Sequence, residues 1–151
     1  MRKPRNTGFT LVEILIVVVI LGILAAIVVP QFTNASQQAI KGALASQLQT
    51  INSQVELYRV QNAGTLPVIA TTEPNGGWGV LVANDFLKDE PNNGYTRSSN
   101  VSEAAYVGAP ATDGSAAGWY YQTASGEVFS NGYNHDTNLL ANEAGYVALA
   151  P

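Results

Sequence analysis

The chain has no cysteine, one histidine and one methionine, and charged residues fill only 12% of its 151 positions. Without cysteine there is no disulfide and no thiolate metal site. That does not exclude export, because an oxidising compartment permits disulfides without requiring them. A zinc site would have to be built from His135 and carboxylates, a poor donor set, so His135 reads as a lone surface-loop residue. No Ser/His/Asp set has a positional signature, and no glycine-rich phosphate loop follows a strand. No catalytic residue is therefore read, and the chain is not expected to be an enzyme. Basic residues are scarce and uneven. Arg2, Lys3 and Arg5 crowd the start, and from Ala63 onward only Lys88 and Arg97 face nine acidic residues. A phosphate-tracking surface needs clustered Lys and Arg, so no nucleic-acid partner is expected.

What the chain does have is one long apolar run. Residues 14–29 contain no polar side chain, and from Phe9 to Val29 only Thr10 and Glu13 are polar. A membrane span needs about 20 apolar residues. The β-branched Val17, Val18, Val19 and Ile20 would favour a strand in water, but in hydrocarbon the backbone must satisfy itself, which forces a helix. The basic start should stay cytoplasmic, which sends the rest of the chain outward. Pro30 removes a backbone donor at the end of the run and is expected to kink or loosen the helix. A secretory signal is cut after its apolar part. Here the sole Gly-Phe junction, Gly8-Phe9, comes before it. Cutting there would remove the basic residues and keep the anchor. Glu13 is the anomaly, since a carboxylate in a membrane helix costs about 2.5–3.5 kcal/mol on insertion scales. It either sits tolerated at headgroup level or neutralises an ammonium at Phe9, its own or a neighbour's.

Gly8-Phe9-Thr10-Leu11-Val12-Glu13, with the apolar run to Pro30, resembles the class III signal of type IV pilins and type II secretion pseudopilins. The resemblance covers about residues 1–32 and is specific. It implies cleavage between Gly8 and Phe9 by a prepilin peptidase and N-methylation of Phe9. It implies that Glu13 recruits and registers the next subunit, and that Pro30 marks the helix kink. It further implies an α+β, pilin-like fold: a long N-terminal helix packed on a small antiparallel sheet. The expected division is a leader at 1–8, a transmembrane and polymerisation helix at 9–30, an amphipathic stem at 31–62 and a globular head at 63–151.

The stem reading also stands on the residues. Ile40, Leu44, Leu48, Ile51, Val55 and Tyr58 are spaced by three or four, a single helical stripe. Gln37, Lys41, Gln47, Gln54 and Arg59 are assigned to the opposite face. Asn62-Ala63-Gly64 is a stop signal. In the head, residues 78–87 read as a short helix with Trp78, Leu81, Val82 and Phe86 inward. Residues 104–107, 119–123 and 127–130 read as strands, the last two forming a hairpin through Ala124-Ser125-Gly126. Trp119, Tyr121 and Phe129 are expected to pack on the stem. LVANDFLKDEPNNG and GWYYQTASGEVFSN are similar to head segments of pseudopilin-like proteins. The chain lacks the Asp-Pro-Trp-Gly-like turn of major pseudopilins and the C-terminal cysteine pair of many type IV pilins.

Calcium is the one cofactor candidate. Asn131, Asn134, Asp136 and Asn138 offer oxygens at alternating spacing, and calcium takes 6–8 oxygen ligands. The EF-hand-like start at Asn134 has Leu139 where that loop needs glycine. The resemblance adds weight, because major pseudopilins bind calcium in a C-terminal loop. The alternative is an Asn-rich surface turn. The leading functional expectation is a structural subunit of a type II secretion pseudopilus. A type IV pilus subunit for adhesion, motility or DNA uptake is the alternative, and a membrane-anchored binding protein that never polymerises is a third. Implied partners are further copies of the chain, other pseudopilins or minor pilins, the prepilin peptidase and an inner-membrane assembly platform. The implied location is the bacterial inner membrane, single-pass with the head in the periplasm, then a periplasmic or surface filament.

Overall fold

The computed structural model describes residues 8–69, 75–103 and 110–149. It has the α+β, pilin-like architecture: a long N-terminal helix and a small sheet. Helix α1 runs Leu11–Gln61 without interruption and contains Pro30. It is stopped by two successive left-handed residues, Ala63 and Gly64. The Asn62 amide donates to the Tyr58 carbonyl, and the Gly64 N–H to that of Arg59. These bonds satisfy carbonyls that a helix end leaves open.

The chain divides into two compact units, residues 1–37 and 38–151. In the second, Leu44, Leu48, Ile51 and Val55 of α1 are buried in one core with Trp78, Leu81, Trp119, Tyr121, Val128 and Leu140. Ile40 and Tyr58 pack at its edge. The stripe therefore lies where its spacing put it. Helix α2, Gly79–Ala83, contributes Leu81, and Phe86 just beyond it meets Tyr58 edge to face at 5.2 Å.

Three strands form the main sheet: β1 Val101–Ser102, β2 Trp119–Gln122 and β3 Glu127–Ser130, in that order. β2 and β3 are the expected hairpin, with Tyr121 opposite Val128. β1 pairs with β2 in parallel, so the sheet is mixed rather than purely antiparallel. The strand expected at 104–107 lies outside the described residues. A second, two-stranded pair, β4 Tyr133–Asn134 with β5 Leu139–Leu140, orders the tail.

Strand alternation corrects one assignment. Trp119 and Tyr121 share a face and reach the core. Phe129 lies opposite Tyr120, so it falls on the other face, 6.0 Å from the Tyr120 ring. Val128 takes the core position on β3. Three buried aromatics satisfy their polar atom: Trp78 Nε1 donates to Ser99 O, Trp119 Nε1 to Pro91 O and the Tyr121 hydroxyl to Pro67 O.

Asn93 ties these pieces together. It is fully buried. Its Nδ2 donates to the Gly118 and Asn131 carbonyls and to Ser130 Oγ, and its Oδ1 accepts from the N–H groups of Tyr95 and Thr96. Gly118 must be glycine, because a Cβ there would overlap the Ser98 carbonyl. Replacing Asn93 by the similarly sized Leu would strand several buried backbone groups at about 1–3 kcal/mol each. Asn93→Leu should therefore lower unfolding free energy by at least ~3 kcal/mol in urea titrations. A loss below ~1 kcal/mol would show that the amide is dispensable.

Candidate functional site

The first unit presents the residues read as a processing and assembly signal. Gly8 and Phe9 precede α1 outside any helix or strand and are exposed. Thr10 and Glu13 form a reciprocal cap. The Thr10 N–H and hydroxyl donate to Glu13 Oε2 at 2.8 and 2.7 Å, and the Glu13 N–H donates to Thr10 Oγ1 at 3.2 Å. This is a capping box, Thr at the N-cap and Glu three residues on. The sequence carried that signal in plain sight, but the carboxylate drew attention only as a membrane anomaly. The cap bends the Glu13 side chain back toward the start of the helix, the end where Phe9 stands.

Beyond the cap, the large apolar side chains of residues 11–29 are between 44% and 82% exposed. The most apolar 18-residue window of α1 has a mean hydropathy of 3.3. Among the described residues, α1 is the one helix long and apolar enough to cross a membrane. Pro30 withholds an N–H from the Ala26 carbonyl within the helix. The nearby Thr33 hydroxyl donates to the Val29 carbonyl at 3.2 Å.

The second unit holds the residues read as calcium ligands, and the side-chain oxygens of two of them, Asn134 and Asn138, are committed to other donors. Asn134 Oδ1 accepts from the N–H groups of Asp136 and Thr137, and its Nδ2 donates to the Val147 carbonyl. Asn138 Oδ1 accepts from the Tyr133 hydroxyl. Asn131 Nδ2 donates to the Ala117 carbonyl, away from the 134–138 turn in sequence. Asp136 supplies the one carboxylate, 69% exposed and 3.6 Å from His135 Nε2. Among the described residues, no three His, Cys, Asp or Glu side chains gather as a metal-binding group. This donor set does not fit an ion that wants 6–8 oxygens.

An ion pair that the sequence reading missed stands in the same region. Lys41, assigned above to the outward face, is only 5% exposed. Its Nζ lies 2.7 Å from both Glu143 oxygens. Glu143 Oε2 also accepts the Leu140 N–H at 2.7 Å. Lys41 lies three residues before Leu44 and seven before Leu48, so it borders the apolar stripe, and the Glu143 carboxylate lets it turn inward. His135 is exposed and stacks on Phe129 at 5.9 Å.

Residues 3–29 match the family described as the prokaryotic N-terminal methylation motif. The chain is similar to the type II secretion system core protein G of Dickeya chrysanthemi, 38% identical over 99 residues, 63% of this chain and 61% of that protein. It is similar to the core protein G of Pseudomonas aeruginosa, 42% identical over 62 residues, 41% of this chain and 44% of that one. The core protein G of Klebsiella pneumoniae is 34% identical over 97 residues, 62% of this chain and 65% of that one. The chain thus spans less than two thirds of the length of these curated relatives. No solved structure matches it. The motif and the relatives carry the same resemblance as residues 8–13, to pseudopilins with a class III prepilin signal. The apolar helix and this similarity are consistent with anchoring in the inner membrane.

The Leu140 N–H, and next the Lys41 ammonium, hold the Glu143 carboxyl below the ordinary glutamate range. A carboxylate with a lowered folded-state pKa contributes stability that is fully present above its unfolded value, about pH 4.3, and is lost as pH falls through the folded value. The stability gap between the native chain and Glu143→Gln should be full near about pH 6 and shrink steadily below about pH 4.3. Thermal melts across that range measure it, and a gap that stays constant would rule out this linkage.

Proposed function

We propose that this protein is a structural subunit of a type II secretion pseudopilus. The observation that carries the reading is the joining of a Gly8-Phe9 junction, a Glu13 cap and an exposed apolar helix on one chain. The similarity to type II secretion system core protein G supports the secretion assignment over a surface pilus.

In this reading a prepilin peptidase cuts between Gly8 and Phe9 and methylates the new amine. The cut removes Arg2, Lys3 and Arg5, the charges that kept this end cytoplasmic. The helix then waits in the inner membrane with the head in the periplasm. Its 9–30 portion is the polymerising part, 31–62 the stem and 63–151 the head. On assembly, contacts between helices replace contacts with lipid. That exchange costs little, because lipid tails are as apolar as Leu and Val.

Registration needs a directional contact, since an apolar stripe of near-identical Val, Ile and Leu can slide. The Phe9 ammonium and the Glu13 carboxylate supply it. Two lone charges in an apolar bundle are each expensive, and pairing them is the favourable arrangement. The Thr10 cap uses one carboxylate oxygen for two donors and leaves Oε1 for an incoming ammonium. Pro30 would let the helix loosen as it leaves the membrane. Partners follow from the reading: further copies, sibling pseudopilins, the peptidase and an inner-membrane platform.

Two variants test it. Gly8→Ala should accumulate as an uncut, unmethylated precursor by mass spectrometry, and a normally trimmed product would remove the peptidase from the scheme. Glu13→Ala should be trimmed normally yet yield at least ~tenfold fewer filaments, the equivalent of ~1.4 kcal/mol per lost contact. Filaments at the native yield would sink the registration role.

A further inference from the structure

The loop after β3 has to be fastened to something. β4 and β5 are two residues each, too short to be stable alone. Residues 141–149 have no strand or helix at all. A cation bound by loop oxygens is one way to hold such a segment, and the oxygens of Asn131, Asn134, Asp136 and Asn138 do not make that site. The loop nevertheless has a positive charge at its centre.

We propose that the Lys41 ammonium takes the place of a calcium ion in this head. Lys41 and Glu143 clasp the C-terminal loop to α1, and the folded head needs no calcium. Lys41 is on the helix and Glu143 is 102 positions later, so the pair closes most of the head. Glu143 binds on both sides: Lys41 Nζ at 2.7 Å from helix α1, and the Leu140 N–H at 2.7 Å from β5. One carboxylate thus fixes the last strand to the stem, as a shared ligand of a metal would. Asn134 does the same further out through the Val147 carbonyl. Leu140, which donates to Glu143, and its strand partner Tyr133 are both buried, and so is Lys41, while Glu143 is 21% exposed. The burial of Lys41 is what makes the clasp matter, since a surface pair contributes little while a buried charge cannot lose its partner cheaply.

This inference does not depend on the secretion reading. It is tested on the full processed chain in detergent micelles by thermal melts with excess EGTA and with millimolar calcium chloride. The expected result is one melting temperature in both. Lys41→Met, which leaves the half-buried Glu143 without its cation, should melt several degrees lower. The double variant Lys41→Met, Glu143→Leu keeps the site filled and should recover most of that loss, because well-packed apolar groups can replace a buried ion pair. A clear rise in melting temperature with calcium overturns the proposal, the more so if Asp136→Asn abolishes the rise. A Lys41→Met chain that melts like the native one overturns it too, and so does a double variant no more stable than Lys41→Met.

Discussion

Everything in the head depends on one stripe of a helix that begins as something else. Residues 11–29 of α1 are apolar all round, and past Gln37 the apolar side chains contract to Leu44, Leu48, Ile51 and Val55. A helix that is apolar on every side is at home in lipid or among copies of itself. A helix with one stripe must cover that stripe or leave it in water. The head is the cover. Its two tryptophans, Tyr121 and Val128 are buried in one core with the stripe. One continuous α1 therefore carries both patterns without a change of secondary structure, and only the side chains change along it.

The head has little regular structure with which to hold that cover in place. Among the described residues its longest strands have four positions. With no cysteine, it has no covalent staple. Side-chain amides do the work instead. Asn93 bridges the 93–98 turn to Gly118 at the start of β2 and to Asn131 beyond β3. Asn52 on α1 accepts from the Val128 N–H at 2.8 Å and donates to its carbonyl at 3.1 Å, so the helix pairs with β3 as another strand would. Asn134 binds Val147. An amide carries a donor and an acceptor, as a peptide group does, and can therefore stand in for a missing strand. This gives the Asn-rich composition of the distal half a physical meaning. Covering the open edge of β3 also removes a template for unwanted pairing.

The parts legible in the sequence are those with a period. The three-four spacing located the stripe, and alternation with a glycine-containing turn located the β2–β3 hairpin. Both readings are local. The parts that escaped are contacts between distant residues, which have no period. Lys41 looked like an outward charge because Glu143 is not visible from its neighbourhood. Asn93 gave no sign of its role because its carbonyl partners follow 25 and 38 positions later. β1 went unread because a parallel two-residue strand is fixed by β2 rather than by its own side chains. The asparagines at 131, 134 and 138 have the spacing of ligands, yet spacing cannot tell an oxygen facing a cation from one facing a backbone N–H. The Thr10–Glu13 cap is a different lapse, since its pattern is entirely local.

That cap bears on how a single carboxylate could serve both folding and assembly. A helix N-terminus leaves its first N–H groups unsatisfied, and in lipid no water answers them. Glu13 answers the Thr10 N–H, and Thr10 answers the Glu13 N–H in return. The charge also sits at the positive end of the helix dipole, where an anion is favoured. Such a carboxylate is already stabilised before any partner arrives, so a monomer in the membrane need not wait in a strained state. It is also held in one orientation, so an incoming ammonium meets a fixed target and less side-chain entropy is lost on pairing. Under the proposed function, the local rule that starts the helix and the contact that sets the filament register are then carried by one carboxylate, one oxygen for each.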